Sequence, residues 1–277
     1  MRSQPLIFSD IWSGISSPKV RIDRNIIFAS PNGAPLSLNI YRPIQVGTYP
    51  AIVSIYGGAW QRGSPDSDDN FNRYIAAQGY VVWAISYRHA PVYHFPAQID
   101  DVRSALAYIK QHSVEYETDL DRVALMGRSA GAQLAMLAAY QDPQFPIKAL
   151  VNYYGPVNLT AGYDDVPTPD PIESRSTLRA FLGGTPTDFP ELYRQASPLS
   201  AVKPALPPSL LIYGGKDRIV QSKYGKYLAQ RLQSQGNQAI FIEIPWADHA
   251  FDTVFSGISN QLALYYTERF LAWALVK

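Results

Sequence analysis

Short, almost uninterrupted apolar runs recur along this chain, and stretches of helical spacing or turn chemistry lie between them. AIVSIY (51–56), YVVWAIS (80–86), RVALMG (122–127), IKALVNYY (147–154), PSLLIYG (208–214) and AIFIEI (239–244) have the continuous apolar character that a strand needs when both faces of its sheet are covered. Helical segments are predicted over 68–78, closed by Gly79, and over 98–112, where Ile99, Val102, Leu106 and Ile109 recur at three- and four-residue spacing. Three more are expected over about 130–141, 222–235 and 258–275. Ahead of the alternation, 19–29 and 36–42 flank PNGAP and form a hairpin pattern. Right-handed crossovers between such units give an α/β fold: a mainly parallel eight-stranded sheet flanked by helices.

One tract breaks the rhythm. Residues 155–207 are rich in proline and contain Gly183-Gly184, and they are too long for a plain connection. An excursion with short helices or a lid is expected there, as a short cap-like insertion in a domain running from 19 to 277. Residues 1–18 are expected to be an N-terminal extension. Their only apolar island, LIF, is too short for a signal peptide, and no run approaches the roughly 20 apolar residues that cross a bilayer. The expectation is a soluble, cytoplasmic protein that does not bind a membrane.

The chain holds 24 Lys and Arg against 23 Asp and Glu. That balance offers no field to gather nucleic acid. There is no cysteine, hence no disulfide framework, thiolate metal site or cysteine nucleophile. Acyl-transfer chemistry by a covalent route must then fall to a serine.

Gly127-Arg128-Ser129-Ala130-Gly131 fits G-x-S-x-G, with a predicted strand before it and a predicted helix after it. Small neighbours permit the sharp bend that lifts a serine hydroxyl above a sheet edge. A hydroxyl needs a base to become a nucleophile. Of four histidines, His112 ends a helix, and His89 and His94 share a loop suited to packing or pocket lining. His249 follows the last strand and precedes the last helix, so it is the predicted base. Asp217, three residues past the run at 208–214, is the predicted carboxylate partner of the imidazole. Asp248 and Asp252 are too local to His249 and are expected in a solvated loop, and Asp164 and Asp165 read as surface charge. Oxyanion donors are expected from the Ala130 amide and from Gly57 and Gly58, which follow a buried strand.

Together, IYGGAW, SYRHAPVYHFPAQIDDVRSAL, GRSAGAQLA, GGKDRIV and DHAF resemble the alpha/beta hydrolase superfamily. The likeness is greatest to the hormone-sensitive-lipase-like esterases and the bifunctional acetylxylan and feruloyl esterase-like group, with kynurenine formamidases nearby. The resemblance implies Ser129 as nucleophile, Asp217 as acid, His249 as base, and the amides of Gly57, Gly58 and Ala130 as oxyanion hole. It implies no metal or organic cofactor. Two departures stand out: Tyr56 replaces the histidine that usually opens the oxyanion motif, with Ala59 in place of a third glycine, and Arg128 stands where the lipase-like branch usually has an acidic residue. Tyr56, Trp60, Tyr154 and Trp246 lie near strand ends and are candidates for a substrate pocket.

The reading is a serine carboxylesterase acting on a short-chain or aryl small-molecule ester. An arylformamidase or small peptidase would use the same residues, and Tyr56 admits a non-catalytic binding protein on the same scaffold. The sequence admits a homodimer without requiring one.

Overall fold

The computed structural model describes residues 19–142 and 145–275, so the extension expected over 1–18 lies outside the described residues. The sheet has eight strands: β1 (Arg21–Ala29), β2 (Leu36–Arg42), β3 (Tyr49–Ile55), β4 (Val81–Ile85), β5 (Thr118–Arg128), β6 (Ile147–Tyr153), β7 (Ser209–Gly214) and β8 (Ala239–Ile244). Their order is β1-β2-β4-β3-β5-β6-β7-β8. β1 and β2 form the antiparallel hairpin, β2 pairs antiparallel with β4, and every pairing from β4 onward is parallel. This is the alpha/beta hydrolase fold.

The helices fall where the spacing places them: α1 (Asp69–Ala77), α2 (Ala97–His112), α3 (Ala130–Gln141), then α4 (Leu159–Asp164), α5 (Ser174–Leu182) and α6 (Pro190–Gln195) within the proline-rich tract, and α7 (Ser222–Ser234) and α8 (Ile258–Ala274). α3 is buried on nearly every side, as a helix without a polar face must be, and packs on β5 and β6. α7 packs on β7 and β8, and α8 on β6 and β7.

Two strands depart from the expectation. β5 begins at Thr118 rather than near Arg122, because Thr118 and Asp119 extend the ladder against Tyr49 and Pro50 across a register irregularity. β8 is not a buried strand. Among the described residues it is the sheet edge, paired only with β7, and Ile240, its second residue, is 47% exposed.

The tract 155–207 is tied to the body by specific contacts. Phe181 of α5 is fully buried, stacked on Trp60 at 4.1 Å between ring centroids and met edge-on by Phe95. Its carbonyl accepts from Phe95 N, while Ala196 O accepts from Gln133 Nε2 of α3 at 2.6 Å. Deleting the ring at this anchor removes buried apolar area and leaves a void. Phe181→Ala is therefore expected to lower unfolding free energy by about 3–5 kcal/mol, measured by urea denaturation; a loss under about 1 kcal/mol would mean the tract is loosely held.

Candidate active site

β5 ends at Arg128 and α3 begins at Ala130, leaving Ser129 at the bend with φ 49° and ψ −120°. A non-glycine residue in that region costs on the order of 1–3 kcal/mol, and the surroundings hold it there. Ser129 N donates to Tyr153 O at 3.0 Å, and Ser129 O accepts from the Ala132 and Gln133 amides. The flanking glycines are steric necessities. A Cβ on Gly131 would stand 2.2 Å from Ile55 O, and one on Gly127 would stand 2.3 Å from Gly131 O. Both obstacles are backbone, so nothing can swing aside.

The three expected side chains converge above this edge. His249 Nε2 is 3.0 Å from Ser129 Oγ, and His249 Nδ1 is 2.8 Å from Asp217 Oδ2. The other Asp217 oxygen accepts from Ile219 N and Val220 N, each at 2.8 Å, so the buried carboxylate is fixed before it meets the ring. Nδ1 must donate to that carboxylate, which leaves the Nε2 lone pair facing the serine hydroxyl. The arrangement can take a proton from Oγ and return it to a leaving group.

Gly57 lies against the elbow: a Cβ there would meet Arg128 O at 2.9 Å and Ser129 Cβ at 3.2 Å. The amides of Gly57, Gly58 and Ala130 donate no hydrogen bond among the described residues. Tyr56 takes over the anchoring of this loop. Its hydroxyl is 2.9 Å from His89 Nε2, its ring stacks on Tyr87 at 4.6 Å, and its carbonyl accepts from Tyr87 OH. Burial pushes the Tyr56 phenol above its ordinary pKa and the His89 imidazole below its own, so both stay neutral.

Of the four pocket candidates, only Tyr154 lines the cavity of about 600 Å³ that opens at Ser129. Tyr56 is committed to the loop anchor just described. Trp60 is buried, with Nε1 donating to Gln133 Oε1 at 2.9 Å. Trp246 is half exposed and donates to Ser259 Oγ. Nearness to a strand end does not say which way a side chain points.

Asp252 corrects a second expectation. Asp248 is the exposed loop charge foreseen, paired with Arg218, but Asp252 is buried. It accepts from Arg128 Nε on one oxygen and from Tyr154 OH on the other. The Tyr154 ring in turn lies 4.6 Å from the His249 ring. Arg128 is itself buried, stacked over Phe71 at 4.3 Å, with Nη1 3.1 Å from Asp68 Oδ2 but off the hydrogen-bonding axis. Desolvation lowers the affinity of this guanidinium for its proton, but the facing Asp68 and Asp252 carboxylates more than offset that and raise it. The residue beside the nucleophile thus ties the histidine loop to the elbow. The sequence held one signal for this: a cation between a buried strand and a tight bend demands buried carboxylates.

The charge count in this cluster yields a contrasting pair of expectations. Arg128→Gln strands two buried carboxylates and is expected to lose about 3–5 kcal/mol of stability or fail to fold. Asp68→Asn leaves a balanced Arg128–Asp252 pair and is expected to be neutral or stabilising. Thermal unfolding of both variants checks the order; equal losses would contradict it.

The chain is 31% identical over 240 residues to the probable carboxylic ester hydrolase LipM of Mycobacterium tuberculosis, covering 82% of this chain and 54% of that protein. It is 31% identical over 233 residues to the esterase LipC of the same organism, covering 78% of this chain and 57% of that one. The chain thus spans about half the length of these relatives. Among solved structures, a Pyrobaculum calidifontis esterase superposes with a TM-score of 0.82 at 25% identity, over 94% of this chain and 87% of the other. The sequence profile of the BD-FAE family matches residues 38–232, and the chain belongs to that family.

Proposed function

We propose that this chain is a serine carboxylesterase in which Ser129 is the nucleophile, His249 the general base and acid, and Asp217 the carboxylate that fixes the imidazole. The observation that carries the reading is the continuous hydrogen-bonded path from Asp217 through His249 to a strained Ser129, at 2.8 and 3.0 Å. In the first half-reaction His249 Nε2 takes the Oγ proton as the serine attacks the ester carbonyl. Negative charge collects on the former carbonyl oxygen, and the free amides of Gly57, Gly58 and Ala130 are its proposed donors. Collapse expels the alkoxide, which takes the proton back from His249. Water, deprotonated by the same nitrogen, then releases the acid.

The names of LipM and LipC support ester chemistry, and the assembled serine, histidine and aspartate favour an enzyme over a binding protein. The tract 155–207 acts in this reading as a fixed cap, since Ile172 lines the cavity and Phe181 anchors α5. Among the described residues no helix is long and apolar enough to cross a membrane. A cytoplasmic location and a homodimer are proposals from the sequence alone, to be checked by fractionation and sedimentation.

Side-by-side rates on p-nitrophenyl acetate, N-formylkynurenine and a proline anilide test the substrate class, and the ester is expected to be turned over fastest. A formamide or anilide turned over faster would replace this reading. Asp217→Asn keeps the shape but presents the wrong tautomer to the serine, so kcat is expected to fall about 10⁴-fold with folding intact. An unchanged rate would mean the carboxylate plays no part. Tyr56→Phe is expected to lose about 1 kcal/mol of stability through the broken His89 contact while keeping most activity; loss of all activity would assign the phenol a direct role.

A further inference from the structure

The cavity beside Ser129 reaches toward the N-terminus of α1, where Asp68, Phe71, Arg128, Asp252, Phe255 and Asn260 line it. Asp68 occupies the N-cap position of α1, yet its side chain makes no capping hydrogen bond. Among the described residues its carboxylate has one partner, Arg128, held off the hydrogen-bonding axis. Arg128 already serves Asp252, whose other oxygen is taken by Tyr154. Two carboxylates, Asp252 at 8% and Asp68 at 15% side-chain exposure, therefore share one guanidinium, and Asp68 is the less well paired of the two. Burial pushes the Asp68 carboxyl above its ordinary pKa against the opposing pull of Arg128, so a cation bound beside it would stabilise the carboxylate form.

A second feature points the same way. Asn260 is 1% exposed, its Nδ2 donates to Phe255 O, and its Oδ1 has no partner. The inner end of the cavity thus presents the Asp68 carboxylate and Asn260 Oδ1 as acceptors beside one unsatisfied donor, Arg128 Nη1, with two carboxylates set against a single guanidinium. The other lining carboxylates, Asp66 and Asp69, are engaged by Arg24, and Arg62, the second lining cation, is exposed to solvent. An anionic substrate group would meet net repulsion here. A cation would be attracted by the Asp68 carboxylate and by the Phe255 ring, Phe71 already carrying Arg128 over its face.

We propose that this cavity receives esters bearing an alkylammonium group, with Asp68 as the residue that sets the preference for positive charge. The proposal rests on the esterase reading of Ser129 and names its substrate class. It gives Asp68 a reason to stay in a position where its charge is poorly matched.

The test uses two pairs of isosteres in which a trimethylammonium group is replaced by tert-butyl. Acetylcholine and its carbon analogue put the charge on the leaving group; p-nitrophenyl trimethylammoniobutyrate and its carbon analogue put it on the acyl group. For at least one pair the wild type is expected to favour the cation in kcat/KM, and the cation-to-neutral ratio is expected to fall about tenfold in Asp68→Asn, the size of a desolvated cation–π and charge contact. Comparing ratios cancels the intrinsic reactivity of each ester. A ratio that is the same in both proteins, for both pairs, overturns the proposal. Should p-nitrophenyl acetate be hydrolysed while neither cationic ester is preferred, the esterase reading stands and the proposal falls. Calorimetric titration with phenyltrimethylammonium gives a readout that needs no turnover: about tenfold weaker binding to Asp68→Asn is expected, and equal affinity or no binding to the wild type would refute the site.

Discussion

The contact between Gly131 and the end of β3 sets the geometry of the whole carboxyl edge. Because a Cβ on Gly131 would stand 2.2 Å from Ile55 O and 2.3 Å from Tyr56 O, α3 can start this close to the sheet only with glycine there. That closeness forces Ser129 into the left-handed region and carries its hydroxyl out over the strand ends. The oxyanion loop follows immediately from the same strand, so one close approach positions both the hydroxyl and the amides of Gly57 and Gly58. Strain of a few kcal/mol at one residue is thereby held by packing across β3, β5 and α3.

A second, electrostatic constraint acts on the histidine side. Arg128 immediately precedes the serine, while Asp252 follows the histidine by three residues. Their buried ion pair joins two segments 124 residues apart at the point where a base must meet a hydroxyl. Such pairs contribute little net stability, because desolvation consumes most of the attraction, but breaking one is costly. The pair therefore serves registry more than stability. Asp68 places a second carboxylate against the same guanidinium.

Much of this was legible in the sequence, for physical reasons. Strands covered on both faces must be continuously apolar, so β3, β4, β6 and β7 announce themselves, and the elbow glycines are fixed by sterics that no side chain can evade. Asp217 and His249 could be read from their places after the last two strands. What escaped was decided by neighbours distant in the chain. AIFIEI has the composition of a buried strand but has only one neighbour, so β8 is an edge. Trp60 looks like a pocket wall until Phe181 and Gln133 arrive to bury it. Asp252 looks like loop charge until Arg128 reaches it. The exchange of histidine for Tyr56 leaves the loop's hydrogen bonds either replaced or lost as far as sequence can say, and the longer phenol finds His89 thirty-three residues away.

Whether a covalent acyl intermediate forms on the strained serine is the question to which all of this leads. Stoichiometric titration with a fluorophosphonate, followed by peptide mapping of the adduct and assay of residual ester hydrolysis on the same samples, addresses it most directly. The account predicts a single adduct on Ser129, with activity falling in proportion to modification and no labelling of Ser129→Ala. Hydrolysis that persists after Ser129 is fully modified, or an adduct on another residue, would contradict it.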